Sequence, residues 1–127
     1  MLKCFGMKQV ILPVLAIAVA SLGAPALAGS VSSATITQIS GEGPPIGGTG
    51  TGNGAVFVYV SVAPTGSPAC ATSNLFRFAI DPTTPIGMSQ IAMVLSAHAT
   101  GSQVDIVGYG TCGVWSDTET VWYITAH

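Results

Sequence analysis

The chain has 127 residues, only 6% of them charged, with three Lys or Arg against five Asp or Glu. Both lysines, Lys3 and Lys8, fall near the N-terminus, so from Gly29 onward Arg77 stands alone against Glu42, Asp81, Asp105, Asp117 and Glu119. One arginine cannot neutralise a phosphate backbone, which excludes nucleic acid as a partner and disfavours an anionic membrane surface.

The first residues predict export. Lys3 and Lys8 form a short cationic stretch before an apolar run, Val10 to Leu22, broken only by Pro13 and Ser21, and Ala26-Leu27-Ala28 is a small-x-small stretch. That is the three-part pattern of a cleavable signal peptide, with the cut after Ala28. About 13 residues are too few for the roughly 20 that a spanning helix needs, so the mature protein is expected to have no membrane span. Cys4 precedes the apolar run rather than the cleavage point, which argues against a lipoprotein. Residues 1–28 therefore read as a signal peptide and 29–127 as one small secreted or periplasmic domain.

Cys70 and Cys112 are the two cysteines left after that cut. In an oxidising compartment a single pair allows one connectivity, so a structural disulfide follows from counting. A metal or redox site is the competing reading. Neither a CxxC motif nor a nearby histidine supports it, and no metal or cofactor is expected.

Along the mature chain, Ser33 to Ser40 mixes β-branched and polar residues and predicts a first strand. Gly41 to Gly54 is too rich in glycine and proline for regular structure. It lacks the Gly-Lys-Ser/Thr ending of a P-loop and reads as a hairpin connection. Ala55 to Ala63 alternates with a period of two, placing Val56, Val58, Val60 and Val62 toward the core. Phe57 and Tyr59 then face a second layer or a ligand. Asn74 to Ile80 predicts a third strand, with Phe76, Phe78 and Ile80 on one side.

One helix follows. Thr83 or Thr84 can cap it, Pro85 suits its first turn, and Gly101 ends it after Thr100. Between Asp81 and Asp105 there is no charged residue, so a surface helix with one wet face is not expected. A homo-oligomer joined through helix 85–100 would cover the second face. Gln103 to Tyr109 and Glu119 to Thr125 complete five strands around the helix. Three strands, a helix and two strands is the order of the OB fold, a partly open five-stranded barrel, giving a mainly β (α+β) class.

Catalytic chemistry has little support, and the chain is read as non-enzymatic. There is no GxSxG elbow and no histidine pair at helical spacing. His98 reads as a packed or interface histidine and His127 as frayed. Asp117 and Glu119 could form a carboxylate pair or a Ca²⁺ site. The simpler reading has Asp117 capping a turn and Glu119 facing solvent. Arg77 reads as one half of a structural ion pair with Asp81, Asp105 or Glu119. Aromatic rings are better candidates, because sugar C–H faces stack on Trp and Tyr. Tyr59, Tyr109, Trp115, Trp122 and Tyr123 are available. Trp115, in a loop, is either the most exposed ring or a seal over the disulfide. Trp122 and Tyr123 should face opposite ways on one strand.

The segments RFAID, TTPIG, a helix ending ATG, QVDIVGYGTC and WSDTETVWYI resemble small secreted bacterial proteins related to the B subunits of subtilase cytotoxin and typhoid toxin. These are the pertussis-like AB5 toxins. The likeness runs from Ser32 to the C-terminus and is carried by Ile36-Thr37-Gln38, Thr100-Gly101 and Val104 to Gly108. It implies an OB-fold pentamer with helices lining a pore, recognition of a host glycan that can be sialylated, and a catalytic A subunit as partner. In such toxins a serine four residues before the Ile-Thr-Gln-like stretch holds the sialic acid carboxylate, and Ser32 has that place here. Ser30 and Val31 stand where the typhoid-toxin-like pattern has tyrosines. The glycan-binding candidates are thus Ser32, Tyr59, Tyr109 and Trp115. The alternative is a periplasmic or secreted protein-interaction or inhibitor domain of the same fold that binds no sugar.

Overall fold

The computed structural model describes residues 27–44, 53–72 and 76–127. The leader through Ala26, the centre of the Gly41–Gly54 connection and the Asn74-Leu75 start of the third predicted strand lie outside these residues. The elements run β1 (Ser30–Glu42), β2 (Ala55–Val60), β3 (Arg77–Ile80), α1 (Pro85–Thr100), β4 (Gln103–Gly108) and β5 (Val121–Ala126). This is the predicted order, with β1 longer and β2, β3, β4 and β5 shorter than the sequence patterns suggest.

All neighbouring strands are antiparallel, in the order β3-β2-β1-β4-β5. The long β1 holds the sheet together, its first half pairing with β4 and its second with β2. The expected barrel is an open sheet here. Its edges approach where Ala79 of β3 forms one isolated parallel bridge with Thr120, just before β5, and the Ala79 N–H donates to the Glu119 carbonyl at 2.8 Å.

The core lies between the sheet and α1. Val58 and Val60 of β2, Phe78 and Ile80 of β3, Val104 and Ile106 of β4, and Val121 and Ile124 of β5 meet Val94 and Ala97 of the helix. Burying a side chain the size of Val94 contributes about 2 kcal/mol. The period-two reading of β2 holds up to Val60, while Val62 lies past the strand and is exposed. Phe76 is likewise exposed, because β3 begins one residue later. On the other face of β2, Phe57 is fully buried in a second cluster with Ala55, Ala79 and Val114.

The helix ends follow local chemistry. Thr84 is the N-cap, its hydroxyl accepting the Gly87 N–H at 3.0 Å, and Pro85 opens the first turn. Gly101 closes the helix in the left-handed region at φ 69°, where residues with a Cβ are disfavoured. Gly87, Gln90, Val94 and Ala97 face inward. Met88 and Leu95 face outward and are exposed in the single chain. No helix among the described residues is long and apolar enough to cross a membrane. Cys70 and Cys112 form the disulfide, closing a separation of 42 residues and joining the loop after β2 to the loop after β4.

Candidate functional site

Tyr109, just after β4, and Trp122 and Tyr123 on β5 form a continuous exposed aromatic surface. Their exposures are 60%, 54% and 45%. Trp122 sits between the other two, with ring centroids 6.2 Å from Tyr109 and 5.3 Å from Tyr123. Two adjacent residues of a regular strand cannot both face outward. Here Val107 pairs with Tyr123 and Gly108 with Val121, so Trp122 is an extra residue in β5. Such a bulge breaks the two-residue alternation, which is why the expected split of Trp122 and Tyr123 between faces does not occur.

The bulge has a buried support. Gln90, on the inner side of α1, donates through Nε2 to the Trp122 carbonyl at 2.9 Å. A lone glutamine at a buried helix position finds its partner there, and the carbonyl freed by the bulge finds its donor.

Beside these rings a cleft of about 440 Å³ opens between the start of α1 and β5. Asp81, Thr84, Gln90 and Thr120 provide its polar lining, and Ile86, Val114, Val121, Tyr109 and Trp122 its apolar walls. Several polar groups are already fixed. The Asp81 carboxylate accepts from the Thr83 N–H at 2.8 Å and the Thr83 hydroxyl at 2.6 Å, while Thr120 accepts the Val114 N–H at 3.1 Å. Gly87 lets the helix approach the end of β3, since a Cβ there would collide with the Asp81 carbonyl. Among the described residues, the lining contains one carboxylate and no Lys, Arg or His. Rings, fixed polar groups and an apolar floor together suit a ligand with both C–H faces and hydroxyls.

Of the four residues singled out for glycan binding, only Tyr109 lines this cleft. Tyr59 lies over the second core cluster and its hydroxyl accepts a 3.4 Å hydrogen bond from Arg77. Trp115 is half-buried rather than the most exposed ring, packing edge-on against Phe57 at 5.3 Å between centroids. Ser32 is exposed on β1, within an irregularity between Val31 and Ala34. Its neighbour Ser33 has φ 51°, and the Ser33 N–H donates to Asp105 Oδ1 at 2.7 Å. That hydrogen bond, followed by the His127 contact at 3.0 Å, holds the Asp105 carboxyl below its usual range. His127 is therefore anchored, not frayed, and its backbone N–H also donates to the Gln103 carbonyl.

The charged residues depart from expectation in two places. Arg77 pairs with Asp117 at 3.0 Å, donates to Thr118 and stacks over Phe57 with its guanidinium carbon 4.3 Å from the ring centroid. None of the three acids proposed from sequence is its partner. Glu119 does not face solvent but is 1% exposed. Its carboxylate accepts the Gly29 N–H at 2.9 and 3.1 Å and the Gly110 N–H at 2.8 Å. Asp117 and Glu119 thus serve separate structures rather than one catalytic or Ca²⁺ pair. His98, exposed on α1, contacts the Ile36 carbonyl at 2.9 Å.

Compared with protein-family models, with curated proteins and with solved structures, the chain matches none.

Proposed function

We propose that the chain is an exported, non-enzymatic OB-like module that binds a saccharide at the Tyr109–Trp122–Tyr123 surface and the adjoining cleft. The exposed ring cluster beside fixed polar groups carries this reading. The strand order and the Ala79–Thr120 bridge support the OB-like part, since that fold brings its third and fifth strands together. The saccharide is neutral rather than sialylated. Among the described residues the cleft offers an anionic sugar no cation, and beside Ser32 the Ser33 N–H already serves the Asp105 carboxylate.

Export is supported by the leader pattern and the Cys70–Cys112 disulfide. Assembly through α1 is supported by its uncharged outer face with Met88 and Leu95 exposed. A separate catalytic chain, as the toxin likeness implies, would then dock on that assembly.

A glycan array with the protein beginning at Gly29, beside Trp122→Ala, tests the site. The expected result is binding of neutral sugars by the parent and a loss of about 2 kcal/mol, roughly thirtyfold in affinity, for the variant. A blank array, or binding that survives Trp122→Ala, refutes the sugar site. Sugar-insensitive capture of one protein partner through Met88 and Leu95 would then favour the protein-interaction reading.

A further inference from the structure

Glu119 is the most buried acid described, and no cation is among the hydrogen-bond partners of its carboxylate. An ionised carboxylate in such a place is costly unless a positive group joins it. Glycines make its pocket. A Cβ at Gly29 or Gly108 would collide with the Glu119 side chain, so only glycine lets both backbones close on it. Gly29 is also the residue that follows the Ala26-Leu27-Ala28 cleavage pattern.

We infer that Glu119 is the receptor for the N-terminus created by processing at Ala28–Gly29. The inference rests on the export reading above. Hydrolysis adds water across the amide, so that Ala28 departs with a carboxylate and Gly29 keeps the nitrogen, which takes up a proton to become an ammonium. That nitrogen already lies 2.9 and 3.1 Å from the two carboxylate oxygens. It stays there without the leader, because the Gly29 carbonyl accepts the Gly108 N–H at 2.8 Å and Ser30 pairs with Thr65 in both directions. Leu27 and Ala28 are exposed while Gly29 is buried, so the boundary between solvent and the Glu119 pocket falls at the bond to be cut, and the cut belongs to the unfolded chain during export. Cleavage therefore replaces a neutral amide donor with a charged one and completes a buried ion pair. The other titratable groups adjoining this pocket are engaged or turned away. Asp117 is paired with Arg77, and Tyr109 points outward.

The mature chain provides a direct probe. With Lys3 and Lys8 gone, the Gly29 α-amine is its only amine. Intact mass of the exported protein should correspond to residues 29–127. Labelling with an amine-reactive ester at neutral pH should be at least about tenfold slower in the folded than in the urea-unfolded protein, because an ammonium paired with a buried carboxylate yields little of the reactive free amine. A chain extended by Ala28 should label at the unfolded rate and have a lower urea midpoint. Glu119→Gln should erase the midpoint difference between the two chains. A retained leader or another start site overturns the export reading and the pairing with it. A Gly29 start whose amine labels equally fast folded and unfolded overturns the pairing alone, and needs no variant to fold.

Discussion

Gln90 Nε2 lies 2.9 Å from the carbonyl oxygen of Trp122, tying the inner side of α1 to the one extra residue in β5. The bond links the inner side of the helix to the backbone that carries the middle ring of the exposed cluster. Replacing Gln90 with leucine keeps the bulk and removes the donor, leaving the part-buried Trp122 carbonyl without it. We expect Gln90→Leu to lose about 1–3 kcal/mol in urea unfolding, together with a shift in Trp122 fluorescence as the bulge relaxes. Unchanged stability and emission would mean that the bulge is held by its strand pairing alone.

The Cys70–Cys112 bond constrains the unfolded chain over a separation of 42 residues. Chain entropy sets its contribution at about 4 kcal/mol. The double variant Cys70→Ser, Cys112→Ser, or reduction of the parent, should lower the unfolding free energy by that amount. Equal urea midpoints with and without reductant would contradict it.

Asp105 makes stability depend on acid. Its carboxyl is held below the ordinary range by the Ser33 N–H first and by His127 second. A depressed folded-state value means that the stabilisation is complete above the unfolded value of about 3.9 and is lost as pH falls through the folded one. Asp105→Asn should therefore be less stable than the parent near neutrality, with the gap closing below about pH 4. A gap that persists unchanged in acid would show that the charge is not its source.

Met88 and Leu95 are exposed on α1, so a charge there should leave the single chain's stability within about 0.5 kcal/mol. If these side chains join subunits, Met88→Glu and Leu95→Glu should reduce the mass seen by light scattering to that of one chain. A parent protein that is already monomeric at high concentration would rule out assembly through this face.

The contrast between α1 and Glu119 shows what a sequence discloses. Thr84, Pro85 and Gly101 act within one turn of the helix ends, and the disulfide needs only two cysteines, so both are readable from neighbours or by counting. Glu119 looks like a surface acid in ETVWYI, because its partners come from Gly29, 90 residues away, and from Gly110 across a turn. Trp122 was hidden for a related reason. A two-residue period places it opposite Tyr123, and only the pairing with β4 shows the extra residue. Trp115 has loop flanks but rests edge-on against the buried Phe57 of β2, over which Arg77 of β3 also stacks. Local rules reach caps and strand order; the ring surface depends on contacts between distant segments.

Because β5 regains its pairing with β4 on both sides of Trp122, removing that single residue would leave a continuous ladder with Val121 and Ile124 still pointing inward. The exposed rings thus hang on one extra residue in an otherwise ordinary strand. Substitution there can change what the surface offers while the hydrophobic interior beneath stays in register.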